Sequence, residues 1–82
     1  MQVKPLRKDL QKYLLQHKLS KKFDKQLELF KSNPRHPSLN SERLEPKSLK
    51  IYSFRIDRKY RVIFILLSSN EAEIININDH YR

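Results

Sequence analysis

The last six residues of the 82-residue chain, INDHYR, bring together an acid, an imidazole, a phenol and a guanidinium. A histidine titrates near neutrality and gives or takes a proton where an arginine cannot. An arginine fork holds phosphate oxygens in pairs and keeps its charge at any physiological pH. Upstream, the run YSFRIDRKYRVIF carries Arg55 and Arg61 on either side of the turn Asp57-Arg58-Lys59. Glu42 adds a carboxylate that accepts a proton from a hydroxyl, if its strand lies alongside. Together these groups suit metal-free RNA cleavage. A base takes the 2′-OH proton, that oxygen attacks its own phosphate, arginines stabilise the charge, and an acid protonates the leaving 5′-oxygen. Each group also has a plainer reading. His80 and Tyr81 are near a chain end, where solvent or an edge of the core takes such residues, and Glu42 has lysines nearby to pair with. His17 and His36 read as a helix-face residue and a connector residue. No two histidines have ligand spacing, so neither a metal nor another cofactor is expected.

The elements that must position these groups follow from periodicity. Leu6, Leu10 and Leu14 make one apolar face over a helix at about 5–18, with Pro5 in its first turn. Ser20 is a candidate N-cap for a second helix to about 32, striped by Phe23, Leu27 and Phe30 and stopped by Asn33-Pro34. PRHPSLN is a turn-rich connector. Alternating segments follow: Glu42 to Leu44, Ile51 to Ile56, Tyr60 to Leu67 and Ala72 to Ile77. The expected architecture is α+β, one domain over 1–82, with an N-terminal helical hairpin on one face of a small curved antiparallel sheet at about 41–80.

Register is testable on the sequence. Arg55 opposite Arg61 puts Phe54 against Val62 and Tyr52 against Phe64. Leu67 opposite Ala72 then puts Phe64 against Ile75 and Val62 against Ile77. The other face would carry Arg55, Arg61, Ile63, Ile65, Ile74, Asn76, Asn78 and His80. Like charges directly opposite repel, so two facing arginines cost stability unless an anion lies between them. Otherwise they splay into solvent or pair with Asp57 or Asp79. The apolar half, Ile63, Ile65 and Ile74, needs a cover, either a partner or the 34–41 connector.

Composition sets the bounds. Eighteen Lys and Arg against nine acids give a formal charge of +9, which points to a polyanion or acidic-protein partner. Cysteine is absent, excluding disulfides and thiolate sites. Glycine is absent too, so any turn at positive φ must use Asn, Asp, Ser or Lys. The longest apolar run, Val62 to Leu67, is far short of a membrane span, and the charged amino terminus lacks a signal-peptide core. Cytoplasm is the expected location.

The run YSFRIDRKYRVIF, followed by a last strand ending in DHYR, resembles the RelE/ParE-type toxins, which share the microbial RNase-like fold. The terminal His-Tyr and the E-R-L of Glu42 to Leu44 are similar to the YoeB-like branch, where E-P-L stands at the same distance before the arginine strand. The resemblance implies an endoribonuclease that cuts messenger RNA in the decoding site of a translating ribosome, against its rRNA. It also implies an acidic cognate antitoxin that holds it inactive. By position, Arg61 would stabilise the transition-state phosphate, Glu42 would be general base, His80 general acid, and Tyr81 would stack on a base. Arg55, Lys47, Lys50, Arg58 and Arg82 would contact RNA phosphate, and Ile63, Ile65 and Ile74 the antitoxin. The chain departs from the branch at Arg43 and Phe54, which leaves Lys47, Lys50 or a water as the alternative base. The ParE branch, which acts on DNA gyrase without nuclease residues, is the rival reading, and a plain basic RNA-binding module is another.

Overall fold

The computed structural model describes residues 1–79; His80, Tyr81 and Arg82, each an expected site residue, lie outside the described residues. Strand β1 (Gln2–Val3) comes first, then helices α1 (Lys8–Gln16) and α2 (Ser20–Ser32). Strands β2 (Glu42–Arg43), β3 (Ile51–Arg55), β4 (Tyr60–Ser68) and β5 (Glu71–Asp79) follow. They form one sheet in the order β1-β5-β4-β3-β2. Every pairing is antiparallel except that of β1 with β5. The α+β class and the helical hairpin are as expected. The parallel edge strand β1 is an addition that two residues cannot announce by periodicity.

Helix α1 is shorter than the expected 5–18. Arg7 at its start is extended, and Lys18 beyond its end is left-handed at φ 57°. Ser20 is the first helical residue of α2 and not its cap; Leu19 occupies that place, without a side-chain bond. The positive-φ positions are Lys18, Asn40 and Lys50. Lacking glycine, the chain uses Asn and Lys there.

The core lies between the helices and one sheet face. Phe30 of α2 stacks on Phe54 and meets Phe64 edge-on, both at 4.8 Å between ring centroids. Leu10, Leu14 and Phe23 close it from the helices, and Leu39 of the connector is fully buried beside them. Burying such side chains stabilises by roughly 1.5–3 kcal/mol each. Gln26 of α2 donates to the backbone carbonyls of Arg55 (2.7 Å) and Ser38 (3.3 Å), tying helix, strand and connector together where β3 ends.

The β3–β4 register is the expected one, with Arg55 opposite Arg61, Phe54 opposite Val62 and Tyr52 opposite Phe64. The β4–β5 register holds at Val62–Ile77 and then slips by one: Phe64 pairs with Ile74 and Leu66 with Ala72. Ile75 is the extra residue of a bulge, and Leu67 is skipped before Ser68 pairs with Glu71. A one-residue slip exchanges faces. Ile74 therefore belongs to the core, 3% exposed, and not to the open face where the sequence reading put it. Glu73 stands opposite Ile65 in its place.

Candidate anion site on the open face of the sheet

On the sheet face away from the helices, three cross-strand rows lie side by side. Arg55, Arg61 and Asn78 form the row nearest the β3–β4 turn; Glu42, Ser53, Ile63 and Asn76 form the next; Ile51, Ile65 and Glu73 form the third. Period-two alternation puts them there, and the Asp57 turn holds the first row in register. Asp57 Oδ1 accepts the backbone N–H of Lys59 and Tyr60 at 2.9 and 2.8 Å, and its other oxygen meets Lys22 of α2 at 3.1 Å. Burial opposes the Asp57 charge. The two amides and the Lys22 ammonium together outweigh it and hold the carboxyl below the usual aspartate value.

Arg61 is only 4% exposed. Its Nε donates to Ser53 Oγ at 3.0 Å, and its Nη2 donates to the Asn40 carbonyl at 2.6 Å. No carboxylate lies within 4.0 Å of either Arg61 or Arg55 among the described residues. Asp57 serves Lys22, and Asp79 lies 3.9 Å from Lys59. Burial pushes the Arg61 pKa below its ordinary value; the Glu42 charge raises it, and the Arg55 charge lowers it further. Those charges show that Glu42, Arg55 and Arg61 share one electrostatic neighbourhood. Glu42 itself is exposed and makes no ion pair among the described residues. Among the described residues, the result is a desolvated guanidinium beside a second one, with neutral acceptors on its fork and the exposed Glu42 carboxylate nearby. Such a pair of guanidinium groups can bind an anion.

The structure brings Glu42, Arg55 and Arg61 together, with Arg58 exposed at the adjoining turn. Lys50 lies away from them, and no hydrogen bond or ion pair joins the Lys47 side chain to them among the described residues. Lys50 precedes the far end of β3, roughly 16 Å from Arg55 along an extended strand. It borders a hollow with Arg43, Tyr52 and Leu67. Lys47 offers its carbonyl to Arg43 Nη2 at 2.9 Å. Ile63 and Ile65 are half-buried and, without Ile74, form a smaller apolar strip than expected. His17 lies at the end of α1 with Nδ1 3.2 Å from the Tyr60 hydroxyl, and His36 Nδ1 accepts the Ser38 N–H at 3.1 Å. Among the described residues no group of three His, Asp or Glu side chains gathers at metal-ligand spacing. Among the described residues no helix is long and apolar enough to cross a membrane.

Sequence reasoning passed over Ser53 and Asn40. The signal for Ser53 was a small polar residue at an interior strand position between Tyr52 and Phe54, two residues from Arg55 on the same face. Asn40 carried no such signal, because its carbonyl reaches Arg61 only through the path of the connector.

No protein-family model matches the chain, and no curated protein does. Solved structures do. A YoeB/ParE toxin from Agrobacterium tumefaciens superposes with a TM-score of 0.72 at 18% identity, over 99% of this chain and 100% of that one. A chain of the heterotetrameric YoeB–YefM toxin–antitoxin complex from Staphylococcus aureus gives 0.68 at 24%, over 98% and 94%. A copper-bound toxin from Helicobacter pylori gives 0.68 at 17%, over 96% and 91%. At these identities the likeness is one of fold, and it runs the length of the chain.

Proposed function

We propose that this chain is the toxin of a toxin–antitoxin pair and a metal-independent endoribonuclease that cleaves messenger RNA on the ribosome, working in the cytoplasm. One observation carries the reading: a buried arginine with no carboxylate within 4.0 Å among the described residues, directly opposite a second arginine and within the field of Glu42. That arrangement supports a phosphate between the strands. The shared fold with structures of toxins and toxin–antitoxin complexes supports the biological setting.

In this mechanism Glu42 takes the proton of the 2′-OH, whose oxygen attacks the adjacent phosphorus. Arg61 and Arg55 bind the non-bridging oxygens as negative charge builds on them. His80 gives its proton to the departing 5′-oxygen, leaving a 2′,3′-cyclic phosphate and a free 5′-hydroxyl. Tyr81 stacks on a neighbouring base, and Arg58 and Arg82 hold flanking phosphates. The decoding site presents the message in a geometry that a free strand rarely holds. An acidic antitoxin covers the basic surface when the toxin is silent, with Ile63 and Ile65 as apolar contacts.

Induction of the chain followed by mapping of RNA ends tests the proposal. Translation arrest with messages cut in coding regions is the expected result. Intact messages with gyrase-linked DNA breaks would overturn it in favour of the ParE-like reading. Binding to RNA with neither effect would reduce the chain to an RNA-binding module.

A further inference from the structure

We infer that Ser53 is a positioning residue for Arg61: its buried hydroxyl oxygen, with the Asn40 carbonyl, fixes the guanidinium fork so that the end bearing Nη1 receives the phosphate. The inference rests on the nuclease reading above and adds to it a residue outside the Glu-Arg-His-Tyr set.

A guanidinium has five N–H donors in a planar fork. In Arg61 one Nε donor is spent on Ser53 and one Nη2 donor on Asn40. The other three, both of Nη1 and the second of Nη2, make no hydrogen bond among the described residues. One Nη1 donor and the second Nη2 donor lie side by side at the end of the fork, where two parallel bonds to a phosphate fit. The two acceptors that hold the other side are both neutral. A carboxylate there would orient the fork equally well and would also cancel the charge that the phosphate needs. A hydroxyl and a peptide carbonyl orient it and leave the charge intact.

Ser53 is suited to this by its place in the sheet. It stands on the open face diagonally from Arg61, with Glu42 beside it on β2 and Ile63 on β4. At 1% exposure its hydroxyl meets the arginine and not the substrate. Asn40, left-handed at φ 47°, supplies the second anchor from the connector, which Gln26 ties to α2 through the Ser38 carbonyl. The helices thereby contribute to aiming a group on the opposite sheet face.

The test combines Ser53→Ala and Ser53→Thr with Arg61→Lys, in the full chain, on messenger-programmed ribosomes. Ser53→Ala should slow single-turnover cleavage at saturation by about 10- to 100-fold, the scale of a misplaced catalytic contact, with half-saturation nearly unchanged. Ser53→Thr, which keeps the hydroxyl, should recover most of the rate. In an Arg61→Lys background Ser53→Ala should add little, because the two residues act as one unit. Independently of activity, the Nε–H resonance of Arg61 in nitrogen-15 spectra should be slow to exchange in the wild type and fast in Ser53→Ala. Full rate in Ser53→Ala while Arg61→Lys is impaired would overturn the inference and leave the nuclease reading standing. So would a rate loss that simply multiplies in the double variant. Loss of the protected resonance in a chain whose wild type cuts no RNA would instead refute the nuclease reading, and with it the role assigned to Ser53.

Discussion

Replacing Arg61 by lysine keeps the charge and removes the fork, so it separates electrostatic from geometric contributions. Alanine is a blunter test, since it leaves Ser53 Oγ and the Asn40 carbonyl without their donor beneath the connector. In Arg61→Lys one ammonium must serve two acceptors that Nε and Nη2 now satisfy at 3.0 and 2.6 Å. Losing one hydrogen bond from a charged donor costs roughly 1.5–3 kcal/mol. For a domain of this size that lowers the melting temperature on the order of 10 °C. The catalytic loss should be larger, about 10²–10³-fold, because a point charge cannot reproduce the paired bonds to the pentacoordinate phosphate. A second effect has a sign. The burial and the Arg55 charge that lower the Arg61 pKa would lower that of the introduced ammonium too. Its residual activity should therefore fall as pH rises through that depressed value, while the wild-type arginine stays charged throughout. The assay is single-turnover cleavage on programmed ribosomes between pH 6 and about 9, beside thermal melts of the same samples. A variant that cuts at the wild-type rate would refute the geometric argument, since charge alone would then suffice.

Glu42→Gln should slow cleavage by about 10²-fold with little change in melting temperature, because the exposed Glu42 side chain makes no ion pair among the described residues. Loss of stability without loss of rate would make it a structural residue. His80→Gln should slow leaving-group protonation by roughly 10²–10⁴-fold and remove one limb of the rate–pH profile; an unchanged profile would make His80 a bystander. Asp57→Asn should cost about 1–2 kcal/mol at neutral pH by loosening the β3–β4 turn and its tie to Lys22. Because the Asp57 pKa is depressed in the fold, that contribution is complete above the unfolded value of about 3.9 and is lost as pH falls through the folded one, which acid titration of both proteins would reveal. Ile74→Ala should cost about 2–5 kcal/mol in denaturant titrations if the bulged register is right, whereas Ile63→Ala should cost distinctly less. Equal costs would return Ile74 to the open face.

Much of the arginine site was legible from the chain itself. Alternation across YSFRI and YRVIF, with a turn between them, determines that Arg55 faces Arg61 and that Phe54 and Val62 lie behind them. These are local constraints, and local geometry answers them. The same is true of the two helices, whose apolar stripes and the Asn33-Pro34 stop are written in consecutive residues. The absence of glycine limited which residue types take positive φ, while the positions, Lys18, Asn40 and Lys50, came from the structure.

What the chain could not state alone depends on contacts between distant residues. Whether β4 and β5 keep step past Ile63 is settled by how side chains fill the core beneath them, and the bulge at Ile75 turns Ile74 inward. Whether Arg61 is solvated or buried is settled by the connector, whose carbonyl at Asn40 lies twenty-one positions away in sequence. Periodicity reports which face a residue occupies; only packing determines what covers that face. Hence the sequence named the arginines, and the tertiary structure buried one of them beside neutral acceptors, with no carboxylate within 4.0 Å among the described residues.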